Sequence, residues 1–358
     1  MRAGEKSGRR SWGARAVVRV PYLWLAIFFL APFLIVFKIS LSQTAIVQPP
    51  YVPVLDLAAG WAGLQDFAAR LSFDAYELLA SDSLYLFSYL KSLEVAAVST
   101  AILLAIGYPI AYGIARCARR LQPVLVMLVI LPFWTSFLIR VYAWINILQR
   151  DGLLNDVLIA LHIVDAPVAW LSSDTAIYIG VVYSYLPFMV LPLYATLEKM
   201  DETLLEAAAD LGCPRGRAFW LVTVPLSLPG VAAGALLCFI PVVGEFVIPD
   251  LLGGSQTMMI GQTLWMEFFS NRDWPVASAI AVALLGLLLV PMLFYERLQQ
   301  RSLAHDPEKR EPVFGQDHVQ EKWEGADGAK SFLLQRRIGR ARAGLPLSAD
   351  RHPGDLFV

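Results

Sequence analysis

The sequence predicts an all-α, polytopic membrane protein with six transmembrane helices. Charged residues are 16% of the 358-residue chain, against the roughly 25% usual in soluble globular proteins, and 57% of residues are hydrophobic. A mean hydropathy of +0.56 means that much of the chain cannot face water. The charges are also unevenly placed. Nine basic and nine acidic residues lie between Leu303 and Val358, and six basic and one acidic between Met1 and Arg19, which leaves 34 in the 283 residues between. A middle that is about 12% charged suits membrane helices joined by short loops. The near balance of 29 basic and 30 acidic side chains excludes a generally basic nucleic-acid binder.

The first span is expected within residues 20–40, where Tyr22 to Phe37 is almost uninterruptedly apolar behind Arg9, Arg10, Arg15 and Arg19. No small-x-small cleavage site follows, so it reads as an uncleaved helix behind a cytoplasmic basic arm, 1–19. An extracytoplasmic loop, 41–90, comes next. Five further spans are expected at Ser92 to Ala115, Pro123 to Ile145, Ala176 to Leu197, Pro229 to Pro249 and Val276 to Tyr295, within a core of 91–297. Each is near the ~20 residues that cross the hydrocarbon layer.

Basic residues orient the chain. The N-terminal arm, the turn at Arg116, Arg119 and Arg120, the loop with Lys199, Arg215 and Arg217, and the exit at Arg297 and Arg301 all fall on one side, the cytoplasm, together with both termini. The opposite loops are acidic: Asp56, Asp66, Asp74, Glu77 and Asp82; Asp151, Asp156, Asp165 and Asp174; Glu267 and Asp273. An acidic outer face concentrates cations, although outer loops also simply escape the positive-inside bias. Pro109, Pro132, Pro187, Pro192, Pro241 and Pro249 fall in or at the ends of spans, which predicts kinked helices around a wet pathway. The balanced, apolar-poor tail, 298–358, reads as cytoplasmic and disordered.

Catalysis within the chain is not indicated. The HExxH, GxSxG and GxxxxGK[ST] patterns are absent, and Cys117, Cys213 and Cys238 form neither a CxxC nor a Cys/His metal spacing, so no catalytic, metal or cofactor residue is assigned.

The cytoplasmic stretch 199–227 is too long for a tight turn and reads as two short helices. Asp201 caps the first, Glu202 favours its N-terminal dipole, and Leu204, Leu205, Ala208 and Leu211 form an apolar stripe before Gly212 stops it. Pro214 opens the second and Pro225 is expected to end it. A DNA-reading helix-turn-helix fits poorly, because the pair is tethered to membrane on both sides and carries few cations. A small-residue helix pair beneath a bundle suits docking in the groove of a cytoplasmic partner.

Glu206-Ala207-Ala208, three residues, Gly212, nine residues, then Val222-Thr223-Val224-Pro225 resembles the EAA motif, EAA-x3-G-x9-I-x-LP, of the membrane subunits of ABC importers, with Val in place of Ile and Leu. The resemblance implies the type I importer permease fold, a non-catalytic subunit, and coupling helices seated in an ATPase subunit, with Glu206, Ala207, Ala208, Gly212 and Pro225 at that contact. The implied partners are a second permease subunit, cytoplasmic ATPase subunits that bind ATP and Mg, and an extracytoplasmic binding protein, all at a bacterial inner membrane. A stable surface hairpin is the plainer alternative.

Leu131-Pro-Phe-Trp-Thr-Ser-Phe-Leu-Ile-Arg-Val-Tyr-Ala-Trp144, Val243-Gly-Glu-Phe-Val-Ile-Pro249 with Leu251-Leu-Gly-Gly254, and Asn271-Arg-Asp-Trp-Pro275 are similar to segments of bacterial polyamine permeases, along about 21–301. That family implies putrescine, favoured, or spermidine as cargo. Carboxylates and aromatic faces can replace a polyamine's hydration. Glu245, an acid expected inside a span at a cost of roughly 2.5–3.5 kcal/mol, either addresses cargo or neutralises Arg140. Asp250, Glu267 and Asp273 near the outer end are further candidates or simply solvated, and Trp134, Tyr142, Trp144 and Trp274 supply aromatic faces or serve an interfacial belt. The alternatives are an ABC permease for another small solute and a secondary transporter, which would leave the EAA loop without a use.

Overall fold

The computed structural model describes residues 12–54, 60–254 and 257–304. The expectations for the arm before residue 12, for Asp56 and for the tail after 304 lie outside these residues. Contact clustering divides the chain into Met1–Tyr295, which holds the elements below, and Glu296–Val358, of which 296–304 continue the last helix.

Among the described residues the chain is almost wholly helical. Helix α1 (Trp12–Leu25) runs through a π-turn at Ala26–Leu30 into α2 (Ala31–Ser40), and residues 19–40 of this run make the first candidate span. No residue of the π-turn is buried, and Leu23, Trp24, Phe28 and Phe29 are exposed, as expected of a helix whose solvent is lipid. A two-stranded hairpin follows, β1 (Gln43–Thr44) antiparallel to β2 (Tyr51–Val52), with Thr44 opposite Tyr51. Helices α3 (Gly60–Ala69) and α4 (Asp74–Ser81) complete the outer loop.

Helix α5 (Ser83–Arg116) is longer than its predicted span, because Asp82 accepts a hydrogen bond from the Leu84 amide at 2.9 Å and starts the helix early. The third expected span is bent far more sharply than the kink expected at Pro132. Helix α6 (Gln122–Ile130) passes into a 3-10 turn at Leu131–Trp134, and α7 (Phe137–Leu148) leaves at 87° to it. Pro132 supplies the reason: it has no amide to donate, and its carbonyl is taken by the Thr135 hydroxyl at 2.7 Å and an Arg140 guanidinium nitrogen at 3.1 Å. Helix α8 (Leu153–Ala160) lies before α9 (Asp174–Glu198), which Ser173 caps through the Ala176 amide.

Helices α10 (Thr203–Asp210) and α11 (Arg215–Ala218) form the hairpin expected in the 199–227 stretch. The second helix does not end at Pro225. It continues through a π-turn at Phe219–Thr223 into α12 (Val224–Val243), so 215–243 is one 29-residue helix. The wider π-turn absorbs the amide missing at Pro225, which stands in the first turn of the renewed α-helix. The fifth span then stops at Val243 rather than Pro249, which belongs to the short helix α13 (Val247–Leu252). Helix α14 (Ile260–Trp265), a π-turn at Met266–Ser270 and α15 (Trp274–Ala304) complete the described chain.

Helices α5, α9 and α12 pack together around Leu103, Met189, Val190, Leu193 and Cys238, all buried. Gly107 on α5 and Gly234 on α12 both face Met189, and a Cβ at either would lie 2.9 Å from its side chain. Missing side chains let three backbones approach closely where lipid gives no hydrophobic drive to associate. A second cluster, with Val95, Val181, Val242, Ile248 and Leu252, seats α13 against the bundle.

Candidate functional site

The α10–α11 hairpin is built by its caps. Asp201 accepts from the Thr203 amide at 2.9 Å, and that bond holds its carboxyl below the usual carboxylate range. At the other end Gly212 has φ +79°, its amide donates to Ala209 O at 2.8 Å, and the Cys213 amide donates to Ala208 O at 3.0 Å. Those paired bonds make a Schellman ending, for which Gly is the residue without a Cβ penalty. An ion pair of 2.8 Å joins Glu202 to Arg116 and ties the hairpin to the end of α5.

The expected apolar stripe divides into two sides. Leu205 and Ala208 are half-buried, whereas Leu204 is exposed and Leu211 is 88% exposed. Helix α10 is eight residues long, so a stripe of four apolar positions is wider than its single inner face. Ala207, Glu206 and Gly212 are exposed. Glu206 lines a cleft of about 290 Å³ with Leu205, Ala209, Arg215 and Phe219. Pro225 is separated from this surface by the π-turn and lies in the long helix.

Glu245 sits in the break between α12 and α13, not inside a helix. It is 9% exposed and does not pair with Arg140. One carboxylate oxygen accepts the Tyr185 hydroxyl at 2.6 Å, and the other accepts the amides of Val247 and Ile248 at 3.0 and 3.4 Å. The acid therefore joins α9 to the start of α13, where orphan amides favour a negative charge. Tyr185 was not singled out by sequence reasoning. A tyrosine in an apolar span needs a partner for its hydroxyl, and that requirement was the available signal.

Arg140 is 8% exposed on α7, with its guanidinium carbon 4.8 Å from the Phe133 ring centre and 5.8 Å from that of Phe137. The aromatic candidates are dispersed. Trp134 and Tyr142 are exposed, while Trp144 is half-buried edge-on to Tyr183.

The acids Glu267, Asp273 and Asp250 are engaged rather than merely solvated. Glu267 is buried and accepts from the Tyr85 hydroxyl at 3.0 Å and the Asn271 side-chain Nδ2 at 2.9 Å. Asp273 accepts from the Thr44 hydroxyl at 2.7 Å and, at 3.1 Å, from the Val276 amide at the head of α15. Asp250 is exposed and accepts from Gln262 at 3.1 Å. Trp274 stacks on Phe268 with centroids 5.1 Å apart. Asp273 and Trp274 thus meet the β1–β2 hairpin through Thr44 and Tyr51, and Glu267 joins α5 through Tyr85, while Glu245 belongs to the bundle. Lys91, paired to Asp174 at 2.7 Å and to Glu94, three residues on, at 3.3 Å, is an ion cluster that sequence reasoning did not identify, because Asp174 lies 83 positions away.

Comparison with known proteins bears on the family of the chain. Residues 107–303 match the model of the family described as binding-protein-dependent transport system inner membrane component. The spermidine/putrescine transport system permease protein PotB of Haemophilus influenzae is 36% identical over 283 residues, covering 79% of this chain and 93% of that one. PotB of Escherichia coli K12 is 40% identical over 216 residues, covering 60% and 78%. A bacterial alginate ABC transporter, crystallised with an alginate pentasaccharide-bound periplasmic protein, aligns with a TM-score of 0.61 at 17% identity, over 82% of this chain and 96% of the other, a likeness of fold alone. With the family model spanning more than half of its length, this chain belongs to the inner-membrane components of binding-protein-dependent transport systems, as a multi-pass permease of the ABC importer kind.

Proposed function

We propose that this chain is the non-catalytic permease subunit of an ATP-driven importer that carries spermidine or putrescine across the bacterial inner membrane. Likeness along 283 residues to a relative named as a spermidine/putrescine permease is the observation that carries this proposal. The chain works beside a second permease subunit and with cytoplasmic ATPase subunits, which bind ATP and Mg; the chain itself holds no cofactor. An extracytoplasmic binding protein delivers the polyamine, and both termini lie in the cytoplasm.

The cytoplasmic hairpin seats in the ATPase through Glu206, Ala207, Ala208 and Gly212. ATP binding closes that cleft and biases the bundle outward, and hydrolysis resets it, a population shift driven by binding. Pro225 contributes by position, in the helix that leads from the hairpin into the bundle. Along the route, Glu245 within the bundle and Asp250, Glu267 and Asp273 toward the outer end offer carboxylates, and Trp134, Tyr142, Trp144 and Trp274 offer aromatic faces to a cation that has shed water.

ATP-dependent uptake of labelled spermidine by the reconstituted complex tests this function, with putrescine, amino acids and inorganic cations as competitors. Competition by polyamines is the expected result. Uptake blocked by none of the polyamines would leave the importer family standing and remove the cargo.

A further inference from the structure

The Arg140 guanidinium is buried and incompletely partnered. One terminal nitrogen donates to Pro132 O at 3.1 Å, the plane lies over Phe133, and Nε has no hydrogen-bond partner. Among the described residues no carboxylate forms an ion pair with Arg140. Glu245, the acid closest to it in chemistry, is committed to Tyr185 and to the head of α13. Arg140 lines a cavity of about 570 Å³ whose other walls include Phe133, Phe137, Phe188, Leu237 and Pro241. Around it Trp134, Leu138, Ile139 and Tyr142 are exposed, which makes an apolar surface with one cation set into it.

We infer that this cavity receives a carboxylate side chain from a membrane helix of the second permease subunit, which completes the shell of Arg140. The inference rests on the reading above that such a subunit stands beside this chain. Charge complementarity selects the occupant. An unpaired guanidinium at membrane depth is costly, and lipid tails offer it no acceptor. A water-filled lining would be more polar than these largely phenyl and leucyl walls, where Ser184 is buried and the Tyr185 hydroxyl is already donated to Glu245, and a cationic cargo would add like charge. A carboxylate on an apolar helix satisfies Nε, neutralises the charge and covers the exposed rim together. The bend between α6 and α7 is what makes the site, because it brings Arg140 back over Phe133 and the Pro132 carbonyl.

The test uses the complete complex purified through a tag on this chain. Arg140→Glu lowers recovery of the second permease by about tenfold or more, Arg140→Lys retains it, and changing one membrane-embedded carboxylate of the second permease to lysine restores it in the Arg140→Glu background. Unchanged recovery with Arg140→Glu, or no restoring carboxylate, overturns the inference. A second measurement leaves Arg140 intact, in case its reversal impairs folding: a photoreactive benzophenone at Leu237, on the cavity wall, crosslinks to the second permease. Crosslinks to lipid alone overturn the inference. Polyamine uptake is read on the same preparation. A complex that crosslinks yet imports no polyamine keeps this pairing and removes the cargo, whereas a wild-type complex that recovers no second permease removes both.

Discussion

A carboxylate that accepts three hydrogen bonds, as Glu245 does, is both a fastening and a charge, and the two roles separate by substitution. Glu245→Gln keeps an acceptor for Tyr185 but removes the charge. The expected outcome is an assembled complex whose polyamine uptake at low substrate falls by roughly tenfold, the scale of one charge-assisted hydrogen bond. Unchanged uptake kinetics would leave Glu245 a cap alone. Tyr185→Phe deletes the donor and leaves the buried acid short of one partner, so thermal unfolding in detergent should show a loss of about 1–3 kcal/mol. Tyr85→Phe tests Glu267 in the same way, and because Asn271 remains as a donor the loss should be at the lower end of that range.

Among the elements, the α10 hairpin isolates backbone from contact. A Cβ at Gly212 would meet nothing within 4 Å, so only its left-handed φ forbids a side chain. Gly212→Val therefore costs at least about 1–2 kcal/mol of local strain and reshapes the loop without touching the bundle. Membrane insertion should be normal and the ATPase of the complex should still turn over, while ATP-driven uptake is lost. Glu206→Lys reverses an exposed charge and should uncouple in the same assay. Normal uptake in both variants would reject the docking role. The hairpin was legible in the sequence because caps are local: Asp201, Gly212 and Pro214 each act within a few residues. Pro225 misled for the same reason, since a proline reads as a stop and the π-turn that lets the helix run on leaves no local mark. The size of the break at residues 135–136 was not legible either: Pro132 and the polar pair Thr135-Ser136 mark the place, but neither fixes an 87° bend.

Across the whole molecule, the all-α membrane class and five of the expected spans could be read from hydropathy, because each helix must satisfy its backbone alone wherever the solvent is lipid. Which acids meet which partners could not, since Glu245 finds Tyr185 sixty positions away and Asp273 finds Thr44 across 229. Long-range pairing of this kind depends on how helices pack, and small contacts such as Gly107 and Gly234 on Met189 set that packing. Asp273→Ala removes the hold on both the first outer loop and the head of α15. It should lower the unfolding free energy by about 1–2 kcal/mol in detergent, with the hairpin residues 43–52 becoming more accessible to protease. The continuous helix 215–243 has a mechanical meaning as well. At 1.5 Å per residue it is a strut about 43 Å long, whose points of give are the π-turn and the interior prolines Pro229 and Pro241. A thrust delivered at Arg215 would travel along it toward Val243, two residues from Glu245, so the far joint of this strut is the place where a push at the hairpin would become a movement beside that acid.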